Sequence, residues 1–167
     1  MNESNSSLSP KPDVASACDF LKQHVATVFE TMLSIQVALS GKEHRSFSGE
    51  RVSGTVGFAG DDVRGVFYLD LSADTARHLT ARMLGASPTA IPADGEVNDV
   101  IGEMTNMIAG GLKSWLTDSG APCAISTPAI IRGTSYLFEA PPDAQCGRLV
   151  FDFEGGVVAV EVHVQFD

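Results

Sequence analysis

The sequence predicts an α+β fold in which long amphipathic helices pack on an antiparallel sheet. Three observations lead there. Residues 97–116 carry Val97, Ile101, Met104, Ile108, Leu112 and Trp115 at spacings of three and four, which makes one apolar stripe on a helix. At the other extreme, Val158, Val160, Val162, Val164 and Phe166 alternate with Ala159, Glu161, His163 and Gln165, the period of a strand. Between them and the N-terminus the order reads helix, hairpin, helix, long helix and three strands, without the strand–helix alternation of a parallel sheet.

Taken in order, residues 1–12 are rich in Ser, Asn and Pro and hold few large apolar groups, so a disordered tail is expected. Residues 13–167 then form a single domain. Asp13 suits an N-cap, and Val14, Cys18, Leu21, Val25, Val28 and Met32 give a first long helix that ends before Gly41. Core packing explains this stripe better than a coiled-coil seam, which would continue beyond about three heptads. His24 lies beside the stripe as a boundary residue.

Val52, Gly54, Val56 and Phe58 alternate, Gly60-Asp61-Asp62 offers a turn, and residues 63–71 return, which is a hairpin. Ser72 caps a short helix through Ala76, Leu79, Met83 and Leu84 that stops at Gly85. Pro92 and Asp94 suit the first turn of the long helix, and Gly120 its exit. Strands are expected at 124–131, 148–153 and 157–166, with Glu154-Gly155-Gly156 turning between the last two and a loop around Pro141-Pro142. Two long helices that each precede strands hint at an internal duplication.

Composition excludes several classes. A net charge of −10 and a pI near 4.7, with no cluster of Lys and Arg, argue against nucleic acid as a partner. Cys18, Cys123 and Cys146 are odd in number and far apart, which suggests neither a disulfide framework nor a zinc knuckle. No apolar run approaches a membrane span and no leader pattern opens the chain, so a cytoplasmic location is expected. Residues 110–114 lie inside a helix and lack the Gly-Lys of a phosphate loop. His24, His44, His78 and His163 stand in separate segments, which leaves hydrolase triads and histidine metal sites without support.

The long helix has a second face. Asp99, Glu103, Asn106 and Gly110 recur opposite the stripe, although Asn costs helix propensity and two acids four residues apart repel. Gly110 and Gly111 cost roughly 1 kcal/mol each against Ala, but they leave bare surface beside Asn106 where another backbone can come close; close helix packing inside the domain accounts for them equally well. Asp99 with Glu103 could clamp Mg²⁺ or act as an acid and base pair, but exposed carboxylates on a helix are more often a solvated face. No metal or other cofactor of its own is expected.

Asp99, then Glu103 four residues on and Asn106 three further, resembles the Asp/Ser–Glu–Asn signature of the CheC/CheX/FliY phosphatase family. The following Met107-Ile108-Ala109-Gly110-Gly111-Leu112-Lys113 is similar to the CheX branch, and Ser126-Thr127-Pro128-Ala129-Ile130-Ile131-Arg132-Gly133 resembles the strand that follows that helix there. The resemblance covers about residues 19–166. It implies a phosphatase that hydrolyses the aspartyl phosphate of a CheY-type response regulator, whose Mg²⁺ and lysine are supplied by the receiver domain. It gives Asn106 the role of orienting the attacking water, which a carboxamide can do without a tuned pKa. Glu103 would reach the receiver's lysine, while Asp99, Gly110 and Gly111 would contact the partner.

Some members carry the signature on both long helices. Here Asp19 is followed by Gln23 and Ala26, and Glu30 by Leu33, so one active face per chain is expected. The resemblance also implies a homodimer built through sheet continuity and strand exchange. A Val-rich final strand left as a sheet edge would supply the motive, because such edges pair with other chains. A non-catalytic receiver-binding or flagellar-switch adaptor of the same fold is the alternative.

Overall fold

The structure, a computed structural model, describes residues 11–41, 47–87 and 89–167. Most of the expected tail, and His44, lie outside the described residues. Asp13 caps α1 (Val14–Leu33): its Oδ1 accepts the Ser16 N–H at 2.8 Å, and Ser16 Oγ accepts the Asp13 N–H at 3.0 Å. Ala17, Leu21, Val25, Val28, Phe29 and Leu33 bury its inner face. The helix stops well short of Gly41, because Ser34 turns left-handed at φ 51° and Arg82 donates to the Leu33 and Ser34 carbonyls at 2.8 and 3.0 Å. A two-residue strand follows, β1 (Ala38–Leu39), which the sequence pattern does not suggest.

The expected hairpin is β2 (Arg51–Ala59) with β3 (Val63–Ser72). Ser72 Oγ accepts the Thr75 N–H at 3.1 Å and so starts α2 (Ala73–Met83), and Gly85, at φ 63°, follows its end. The long helix is α3 (Asp94–Asp118); Glu96 reaches back to the Ala93 N–H at 2.8 Å, and Pro92 sits just before the cap rather than within the first turn. Leu116 completes its buried stripe, whereas Trp115 is half-buried and stacks on Phe20 of α1 at 5.7 Å. What reads as one strand at 124–131 is two pieces, β4 (Ala124–Ile125) and β5 (Ala129–Gly133). β6 (Gln145–Phe153) begins three residues early, and β7 (Gly156–Phe166) closes the chain.

The strands form one antiparallel sheet in the order β1-β6-β7-β3-β2-β4, with β5 also on β2. Pairing follows a crossed pattern. The chain runs α1-β1-β2-β3 and then α3-β4/β5-β6-β7, and the leading strand of each half pairs with the hairpin of the other half. The expectation of an exposed final strand is therefore corrected: β7 is hydrogen-bonded to β3 on one side and β6 on the other, in the interior of the sheet. Its second face is not solvated either, because Ala159 and His163 are buried and Glu161 is held by Arg148 and His163 at 2.7 and 2.6 Å.

All three helices cover one face. α3 comes closest at Gly54, where a Cβ would stand 1.9 Å from Thr105 Oγ1, so only glycine lets helix and strand meet. Phe67, Leu69, Leu71, Val158, Val160 and Val162 fill the interface beneath. The other face is polar and partly roofed by residues 134–144. There Asp70, with no exposure, accepts from Arg51 and from Ser53 Oγ, and Tyr136 hydrogen-bonds Ser53 at 2.7 Å while Phe138 stacks on Tyr68 at 3.9 Å.

Candidate functional site

The amphipathic design of α3 decides what it exposes. With Val97, Ile101, Met104, Ile108 and Leu112 pressed onto the sheet, Asp99 and Glu103 stand in solvent and Asn106 is half-buried on the outer side. Seven residues of helix separate Asp99 from Asn106, about 10 Å along the axis. These side chains form one wall of an open groove of about 600 Å³, lined also by Asn98 and Gly102.

The opposite wall comes from the break between β4 and β5. Phe58 pairs with Ile125 and Thr55 with Ala129, so Val56 and Gly57 of β2 face three residues, 126–128, and the strand bulges. Pro128 sits in the bulge, where it forfeits no ladder bond. Ser126 holds the bulge to β2: its Oγ accepts the Gly57 N–H at 3.0 Å and its N–H donates to the Gly57 carbonyl at 2.8 Å. Ile125, Ser126, Thr127, Pro128 and Ile130 thereby face the helix across the groove. One clamp crosses from strand to helix: Arg132 of β5 donates to Asn98 Oδ1 at 3.0 and 2.8 Å and to the Asp94 carbonyl at 3.2 Å.

The two glycines differ. A Cβ on Gly110 would meet nothing within 4 Å, so that position is open to an approaching molecule. At Gly111 the Cβ would stand 1.9 Å from His24 Nε2, whose ring stacks on Phe20 and lies 3.3 Å from the Met107 carbonyl. Gly111 thus serves the contact of α1 with α3 and is not bare surface for a partner. His24 is the residue that fills the space.

Chemically, the groove offers two carboxylates, two carboxamides and hydroxyls, and no cation in its lining. Among the described residues no group of three or more His, Cys, Asp and Glu could hold a metal ion, and no helix is long and apolar enough to cross a membrane. Burial raises the Cys18, Cys123 and Cys146 thiols, which disfavours the thiolate a nucleophile would need. Such a surface can position water and hydrogen-bond a partner. Sequence reasoning missed Asn98, Arg132 and the bulge as parts of this place. A Pro inside an apparent strand was the available signal for the bulge, since Pro demotes a strand or marks an irregularity.

Comparison with known proteins bears on this arrangement. The family model described as chemotaxis phosphatase CheX matches residues 52–154, which include the whole groove. A search of curated proteins returned no match. Among solved structures, the chain is similar to the chemotaxis protein CheX from Vibrio vulnificus, at 24% identity and a TM-score of 0.77 over 93% of this chain and 100% of that one. A CheC-like superfamily protein from Shewanella sp. PV-4 gives 24% identity and a TM-score of 0.74 over 92% and 99%. The CheX–CheY–BeF3–Mg²⁺ complex from Borrelia burgdorferi gives 19% identity and a TM-score of 0.68 over 89% and 97%. These likenesses establish the fold.

Proposed function

Since this chain belongs to the family of the chemotaxis phosphatase CheX, we propose that it accelerates hydrolysis of the aspartyl phosphate on a CheY-type response regulator. The observation that carries the reading is the placement of Glu103 and Asn106 together on the outer face of α3, in a groove open to solvent. A CheX protein has been captured with CheY, BeF3 and Mg²⁺, which supports a receiver as the partner. Phosphoryl transfer from such a receiver asks little covalent work of the phosphatase, because the receiver carries the Mg²⁺ and the lysine that neutralise the phosphoryl group.

What remains is geometry. Asn106 Oδ1 accepts a hydrogen bond from the attacking water and aligns it with the leaving carboxylate, while its NH₂ donates toward the phosphoryl oxygens. Glu103, one turn earlier and exposed, meets the ammonium of the receiver's lysine and sets the register of docking. Asp99 and Gly110 belong to the contact surface around them. The chain works as a homodimer.

Phosphate release from a panel of phosphorylated receivers tests the proposal. Asn106→Ala should lower accelerated release by about 100-fold or more, the order found when a positioned hydrogen-bonding group is removed from a reacting centre, with receiver binding retained. Glu103→Ala should weaken binding and turnover together. Full activity of Asn106→Ala removes the mechanism, and binding without any release by the unaltered protein makes it an adaptor.

A further inference from the structure

Asn98 is a second carboxamide in the groove, and its orientation is fixed by what it touches. Its Oδ1 accepts two N–H groups of Arg132, from Nε at 3.0 Å and Nη2 at 2.8 Å. A flipped amide would set its NH₂ against those guanidinium donors, so the oxygen must face Arg132 and the nitrogen must face away. Arg132 is itself immobilised: it donates to the Asp94 carbonyl at 3.2 Å, lies 3.5 Å from the Asp94 carboxylate and is only 20% exposed. The Asn98 NH₂ has no partner among the described residues, and the residue lines the groove.

We propose that Asn98 is a receiver-binding residue that presents this oriented NH₂ to an acceptor oxygen on the partner protein, with Arg132 as its positioning residue. The proposal rests on the receiver being the groove's occupant. Eight residues of helix put Asn98 about 12 Å from Asn106 along the axis, beyond the reach of a phosphoryl group docked at Asn106. The acceptor therefore belongs to the receiver's surface outside its phosphorylation site. Because a donor fixed in advance loses little entropy on binding, the contact favours partners with an acceptor at that place and penalises those without one.

The substitution Asn98→Asp separates this role from a structural one. A carboxylate keeps, and strengthens, the acceptor for Arg132, but it has no N–H to offer. Titration of a beryllofluoride-loaded receiver into the protein should show affinity reduced about fivefold or more for Asn98→Asp, with turnover at saturating receiver within twofold of the unaltered protein. Arg132→Gln should weaken binding alone and add little on top of Asn98→Ala.

The added negative charge is controlled by repeating the titration at about 50 and about 300 mM salt, since screening removes long-range repulsion but not a lost donor. Undiminished affinity of Asn98→Asp, or a loss that vanishes at the higher salt, overturns the proposal. Failure of the activity itself looks different: the unaltered protein then binds the loaded receiver without releasing phosphate, and the Asn98 effect on binding is still read.

Discussion

Gly110 and Gly111 are adjacent in the chain yet their replacement by Ala should have opposite effects. Gly110→Ala removes a helix-interior glycine where a methyl group meets open space; the gain of about 1 kcal/mol should raise the unfolding midpoint by about 2–4 °C, while receiver affinity falls if the bare surface is used in docking. Gly111→Ala drives a methyl group into the His24 ring, which must leave the Met107 carbonyl and its stack on Phe20. A net loss of about 1–2 kcal/mol is expected, recovered when His24→Ala is combined with it. Thermal unfolding of the three variants checks both outcomes, and equal shifts at the two positions would refute the assignment. This is also the scale at which the sequence was most and least informative. Asp99, Glu103 and Asn106 share a helix face, so their spacing alone brings them together. Arg132 meets Asn98 across 34 residues of chain, and nothing in local spacing announces that pairing.

At the scale of elements, helix and hairpin boundaries were legible wherever the signal was local: Asp13 and Ser72 as caps, Gly85 and Gly120 near helix ends. The end of α1 was not, because a side chain from α2 helps to set it. Arg82 satisfies two carbonyls at the C-terminus of α1, a place where a cation also opposes the helix dipole. Arg82→Ala should cost about 1–2 kcal/mol and speed amide exchange near Ser34 and Ile35 beyond the rest of α1. Uniform exchange along the helix would show that the cap is held by other means. The break between β4 and β5 has only Pro128 as a local signal, since a bulge is a property of two paired strands.

For the whole molecule, the sequence established the long strands, missed the short β1 and the break between β4 and β5, and failed to place any of them in the sheet. Alternation in residues 157–166 reports a strand with one strongly apolar face, but whether it lies at an edge depends on partners some 90 residues away in β3. The proposed homodimer would therefore use other surfaces than the side of β7, and the outer strands of the sheet, β1 and β4/β5, are the candidates. Sedimentation equilibrium at micromolar protein should give a dimer. Truncation at Val160 should abolish the fold itself, not the assembly alone, because it opens the middle of the sheet. A folded monomer throughout that range would refute the dimer and leave Glu103 and Asn106 untouched.

The crossed pairing of the leading strands has a consequence for how such a chain comes to exist and to fold. Each half, α1-β1-β2-β3 or α3-β4/β5-β6-β7, gives away the strand that would flank its own hairpin and receives the equivalent strand from the other. That is the connectivity of two swapped subunits joined end to end. Neither half is a complete folding unit, so during synthesis the first cannot finish its sheet until the second has emerged. Contacts of this sequence separation close late and raise the entropic barrier to folding, while in the finished molecule each half is bound to the other by the strand it gives away.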